Sequence, residues 1–193
     1  MALLYAGIKW EHREIILRDK PAHMLEISPK GSVPVLLLPS GRVIDESLDI
    51  MLWALEQNDP DGWLPDLHRD DLYTLIERND GAFKMSLDRY KYPNRYPDED
   101  CSGARETCEK IISDLNKRIE NNGHLSGEQT SLSDIAIFPF IRQFAHVDRD
   151  WFFAQETPHI QRWLTKHLES DLFKSIMPKH PLWAPDSEKT YIN

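Results

Sequence analysis

The chain has 193 residues and a mass of 22.6 kDa, enough for one large domain or two small ones, so a core can be buried without disulfide or metal staples. Its net charge is −9 and the acidic residues are scattered along the whole length, which argues against a general affinity for nucleic acid or an anionic membrane and favours small-molecule or protein partners. There is no apolar run of about eighteen residues, and Met1 to Trp10 lacks the basic start, apolar centre and cleavage site of a signal peptide, so a cytoplasmic setting is expected if Met1 is the true start.

In chain order, Met1 to Gly7 reads as the last turns of a helix with Gly7 as its C-cap. Trp10 to Leu17 reads as a strand, Pro21 to Ile27 as a short helix opened by proline, and Val33 to Leu38 as a buried strand rich in valine and leucine. Ser40-Gly41 turns the chain into a last short strand, Val43 to Asp45, and a helix follows from near Ser47 to Gln57 with Leu48, Met51, Leu52 and Leu55 on its apolar face. The order α, β, α, β, β, α gives way at Asn58 to Pro65 to almost purely helical periodicity. The expected organisation is an α/β domain over 1–57, a linker over 58–66 and an all-helical domain over 67–193.

In the second half, Leu72, Leu75, Ile76, Asn79 and Phe83 mark one amphipathic helix, and Cys108, Ile111, Ile112, Leu115 and Ile119 another. Ser131 and Asp134 have the form of a capping box, and the helix they open, Ile135 to Phe144, is apolar nearly all round and is expected to be the buried centre of its domain. Cys101 and Cys108, placed on one helix, stand about 10 Å apart along its axis, too far for a disulfide, which suits a reducing compartment. The tail after Pro178 is proline-rich and polar, with Trp183 as the aromatic that docks it. The stretch Arg89 to Pro97 mixes basic residues with tyrosines. Acidic Asp98-Glu-Asp100 follows at once, so it reads as a loop between long helices whose aromatics help line the substrate side of a cleft rather than as a nucleic-acid surface. The eight histidines show no metal-binding spacing, and no metal is expected.

The chemistry gathers around two short motifs. Pro34 at a strand entrance cannot donate a ladder hydrogen bond. A trans bond is the commoner form, whereas a cis Val33-Pro34 bond turns the Val33 backbone outward, ready to pair with a short extended peptide. Directly after the hairpin, Ser47 and the first N–H groups of its helix can receive a carboxylate, and Glu46 can receive an ammonium group. Taken singly, Ser47 also reads as a plain N-cap, and Glu46 as a favourable charge at a helix start.

Lys20-Pro21, Ser28 to Leu36 and Ile44 to Ser47 together resemble the glutathione-binding half of glutathione transferases, most like the omega-like and glutaredoxin-2-like bacterial branches. The likeness continues through Ser131 to Gln143, similar to the capped core helix of that family. The resemblance implies a thioredoxin-like α/β domain followed by an all-helical domain, with glutathione as co-substrate and a homodimer. It implies that Lys20 meets the glycyl carboxylate, that Val33 beside Pro34 pairs with the cysteinyl part, that Glu46 and Ser47 hold the γ-glutamyl head, and that Ser131 and Asp134 are structural. In the family, a first strand and the catalytic cysteine, serine or tyrosine precede the first helix. The chain shows neither, so no catalytic residue is assigned, and Met1 is read as an internal methionine, a sheet repaired by strand exchange being the rival explanation. Tyr5 lies at the wrong end of its helix to replace the missing group and reads as packing. The expected function, for a full-length protein that supplies the missing strand and catalytic residue, is conjugation of glutathione to an electrophile or glutathione-dependent thiol–disulfide exchange; without that residue the chain by itself is not expected to be active. The alternative is a non-catalytic regulator on the same fold, like the stringent-starvation type.

Overall fold

A computed structural model of the chain describes residues 1–64 and 69–193. The part of the expected linker at 65–66 and the expected domain start at 67 lie outside the described residues. The chain forms two compact units, one of Met1–Asp61 with Asp171–Asn193, the other of Gly62–Ser170. No helix among the described residues is long and apolar enough to cross a membrane.

In the first unit, α1 (Ala2–Tyr5) is followed by β1 (Trp10–His12), α2 (Ala22–Ile27), β2 (Leu36–Leu37), β3 (Val43–Ile44) and α3 (Ser47–Gln57), and the later segment adds α10 (Asp171–Ile176) and β4 (Thr190–Ile192). Gly7, at φ +68°, closes α1 as the motif required: its N–H donates to the Leu4 carbonyl at 3.0 Å and the Ile8 N–H to that of Leu3 at 2.9 Å. Small side chains let α1 and α3 approach, with Ala2, Ala6 and Ala54 buried and Leu3, Ile8, Met51 and Trp53 packed around them. The buried face of α3 is therefore Ile50, Ala54 and Leu55, with the expected Leu48, Met51 and Leu52 only half-buried.

Both long strand expectations shorten. The Trp10–Leu17 segment is a strand only to His12, because past Glu14 the chain turns on itself, Asp19 donating to the Ile16 carbonyl at 2.9 Å. The Val33–Leu38 segment is a strand only at Leu36–Leu37, antiparallel to β3, because Pro34 lacks a donor at its entrance and Leu38 already opens the turn, its N–H donating to the Arg42 carbonyl at 2.9 Å. The tail also departs from expectation: β4 pairs antiparallel with β1 in the register Trp10↔Ile192, Glu11↔Tyr191 and His12↔Thr190. That pairing draws 171–193 into the first unit, so the helical unit ends at Ser170 rather than Asn193.

The second unit is helical: α4 (Arg69–Arg78), α5 (Lys84–Lys91), α6 (Ala104–Asn122), α7 (Leu132–Ala145), α8 (Arg149–Ala154) and α9 (Pro158–Glu169). Between α4 and α5 the helix widens to a π-turn at Asn79–Phe83, and the Phe83 carbonyl takes a hydrogen bond from Cys108 Sγ at 3.8 Å. Cys108 is fully buried and its thiol is pushed up to about 12 by burial, so it packs rather than reacts. Cys101 precedes α6 instead of sharing it with Cys108, because the helix starts only at Ala104, and both thiols are free. Helix α6 buries Cys108, Ile112, Leu115 and Ile119 along one stripe, and its Asn116 Oδ1 accepts the His159 and Ile160 N–H groups at 2.9 and 3.1 Å, capping α9 from outside. Helix α7 is the buried centre, with Leu132, Ile135, Ile137, Phe138, Ile141, Phe144 and Ala145 all inaccessible.

Candidate functional site

Lys20 and Glu46 both reach the loop 28–33, which ends at Val33. Gly31, at φ +64°, carries no side chain where a Cβ would sit 3.3 Å from Leu25 Cδ2 and 3.8 Å from Lys20 Cδ, so the Lys20 stem runs beside the loop. On the other side, Ser28 Oγ donates to Asp45 Oδ2 at 3.4 Å and Lys30 Nζ is ion-paired with Glu46 Oε1. The loop thus links Lys20 to the start of α3 and delivers Val33 and Pro34 to the surface, where Val33 is 45% exposed. The Val33–Pro34 bond is cis.

Glu46 occupies the N-cap of α3 with extended backbone, and no side chain caps that helix start. Glu46 and Ser47 are both exposed. The first N–H groups of an eleven-residue helix, with their partial positive charge, thus lie beside a serine hydroxyl and a carboxylate. Two neighbours were not picked out from sequence. Lys30 holds Glu46, a pairing across the hairpin that no local spacing announces, and Ser32 Oγ is buried without a hydrogen-bond partner.

Tyr5 is structural. Its hydroxyl donates to Asp59 Oδ1 at 3.0 Å and accepts the Asp61 N–H at 2.7 Å, and burial first, then the Asp59 carboxylate, push the phenol above its ordinary range.

The capping pair of the second unit is buried and closed. Asp134 Oδ2 accepts the Ser131 N–H at 3.0 Å and the Ser131 hydroxyl at 2.9 Å, while Oδ1 accepts the Leu125 N–H at 3.1 Å and the Trp163 indole at 2.7 Å. Burial raises its pKa, but the hydrogen bonds from His124, Trp163, Leu125 and Ser131 outweigh it and hold the carboxyl below its ordinary range. His124, Asp134 and His167 bring ligand-type atoms within 4.8 Å of one another, a grouping invisible in their sequence spacing. Its carboxylate lone pairs are already occupied, and Lys166 Nζ lies 3.4 Å from His124 Nε2, so the group reads as a structural network rather than a cation site. The basic and tyrosine-rich stretch stacks upon itself, with the Arg95 and Lys91 cations 4.0 and 4.9 Å from the Tyr92 ring centre and Arg89 4.9 Å from that of Tyr96.

Comparison with known proteins decides the family. Residues 1–57 match the glutathione S-transferase N-terminal domain and residues 67–166 the C-terminal domain. This chain belongs to the glutathione S-transferase family. It is similar to the Nicotiana tabacum protein named "Probable glutathione S-transferase parA", 26% identical with 94% of this chain and 83% of that protein covered. Mouse (Mus musculus) glutathione S-transferase omega-1 is also 26% identical, with 85% and 68% covered. Among solved structures, a sphingomonad glutathione S-transferase complexed with glutathione shares the fold with a TM-score of 0.76 at 21% identity, covering 90% of this chain and 88% of that one. The glutathione transferase fold, a thioredoxin-like domain joined to a helical one, is thereby established for the chain.

Proposed function

We infer that the chain binds glutathione on its first unit, and that glutathione transferase-type activity, joining glutathione to an electrophile or using it in thiol–disulfide exchange, is expected only where a catalytic cysteine, serine or tyrosine precedes α1. The observation that carries this reading is the open start of α3, an uncapped helix N-terminus with Glu46 and Ser47 exposed beside it. An α-amino acid head group needs a cation acceptor and an anion acceptor within a few ångströms of each other, and Glu46 with the Ser47 hydroxyl and helix N–H groups fits both demands. Val33, exposed beside the cis bond, suits backbone pairing with the cysteinyl residue, and Lys20, drawn toward the loop at Gly31, suits the glycyl carboxylate. The relatives' names and the glutathione complex of the sphingomonad structure support the same ligand. A cytoplasmic homodimer belongs to the same reading.

Calorimetric titration of the chain with glutathione tests it. Binding is expected, and it is expected to weaken in Glu46→Gln and Ser47→Ala. An absent heat signal, or one indifferent to both substitutions, removes the reading.

A further inference from the structure

Residues 178–193 carry none of the proposed ligand contacts, yet they are fastened to the first unit along its length. Beyond the pairing of β4 with β1, the Trp183 N–H donates to the Glu14 carbonyl at 2.9 Å. Lys189 Nζ lies 3.4 Å from Glu11 Oε2, while Arg13 Nε donates to Glu11 Oε1 at 2.7 Å. The Trp183 indole then faces two side chains at once: the Arg13 guanidinium, 4.8 Å from its ring centre, and the His23 ring, 5.8 Å away at 32°. Arg13 Nη1 and His23 Nδ1 are themselves 3.1 Å apart.

Arg13 and His23 bracket the segment that carries Lys20. Within the bracket the chain makes a turn at Ile16–Asp19 and leaves Ile16 and Leu17 40% and 60% exposed. Lys20 then leads through Pro21, the N-cap of α2, into the turn holding His23. A flexible lysine on a weakly packed segment loses binding free energy to the cost of ordering it, and fixing both ends of the segment lowers that cost.

The geometry points to Trp183 as a positioning residue: by clamping Arg13 to His23, the C-terminal tail sets the Lys20 segment so that its ammonium meets the glycyl carboxylate of the ligand. This rests on the glutathione reading above. It makes the tail part of the binding machinery, acting on the glycyl end of the ligand and not on the γ-glutamyl end.

The test compares glutathione with γ-glutamylcysteine, which lacks the glycyl residue, by calorimetric titration of the full chain. Trp183→Ala is expected to raise the Kd for glutathione about two- to fivefold, the share an exposed ion contact carries, and to leave that for γ-glutamylcysteine unchanged. Trp183→Phe, which keeps a ring, is expected to restore most of the affinity. In a Lys20→Ala background, Trp183→Ala should have no further effect. Thermal unfolding checks that each variant is folded. Should Trp183→Ala not fold, His23→Ala carries the same test, since it removes one face of the clamp and leaves β4 in place. Equal weakening of both ligands, no weakening of either, or a full effect persisting without Lys20 overturns the inference. Failure of the unsubstituted chain to bind either ligand is a different result: it defeats the site reading itself and takes this inference with it.

Discussion

Helices α3 and α7 both start with a serine and an acidic residue in their first turn, and the two starts are built differently. At α7, Asp134 is wholly inaccessible, and both its oxygens accept hydrogen bonds from Ser131, Leu125 and Trp163. At α3, Glu46 and Ser47 are exposed and make no side-chain cap bond, and among the described residues Lys30 pairs with Glu46 at the surface. The same residue types thus close one helix start for stability and leave the other open, where the proposed ligand head would sit. Burial makes the difference, because a buried carboxylate must be fully bonded whereas an exposed one can exchange partners.

The sharpest way to break that comparison is to remove the buried carboxylate. Asp134→Ala leaves the Leu125 and Ser131 N–H groups and the Trp163 indole unsatisfied in the core, a loss of about 4 kcal/mol that urea unfolding reads. An effect below about 1 kcal/mol contradicts the closed-network account. The pH dependence of the same cluster comes next. His167 Nε2 is buried without a partner, flanked by Phe138 and Trp163, and burial lowers its pKa from an ordinary 6.5 to about 4. Between those values the unfolded chain binds a proton that the folded chain refuses, so stability is complete above pH 6.5 and falls as the pH drops toward 4, by about 3 kcal/mol. The depressed Asp134 carboxyl adds a further loss only at lower pH, as it becomes protonated in the fold. His167→Phe should flatten the slope between pH 6.5 and 4, and an unchanged slope would assign it to other groups.

What the amino-acid sequence discloses about the molecule follows the range of the interactions. The capping box, the Gly7 helix end and the α6 stripe are local patterns, and each is legible within a few turns of chain. Helix α3 was legible as a helix, but its buried face was displaced toward Ala54, because the small residues of α1 that admit it lie about fifty positions earlier. The long-range pairings escaped. β4 meets β1 across most of the chain, and although Thr190, Tyr191 and Ile192 are each good strand formers, a run of three residues is too short to announce a strand or to name its partner. Lys20, Val33, Pro34, Glu46 and Ser47 are proposed as a site through a family resemblance more than through spacing. Lys30 was not legible, since an exposed lysine in a loop has no pattern that singles it out.

The open helix start yields the smaller effects, seen in binding and not in stability. Glu46→Gln should raise the Kd for glutathione about tenfold, as for loss of a charge-assisted hydrogen bond, while shifting unfolding free energy by less than about 0.5 kcal/mol because no cap is lost. A large stability loss would mean that α3 is closed like α7. Lys30→Ala should act in the opposite direction. Its ammonium occupies the carboxylate that the ligand's own ammonium needs, so removing it should lower the Kd about twofold, the modest size expected of an exposed pair. Because exposed charges are screened, the gain should shrink between 50 mM and 1 M salt, where the Debye length falls to about 3 Å. Titrations at the two salt concentrations decide the matter. If Lys30→Ala instead weakens binding at low salt, Lys30 contributes a contact to the ligand, and Glu46 is held ready by its lysine rather than blocked by it.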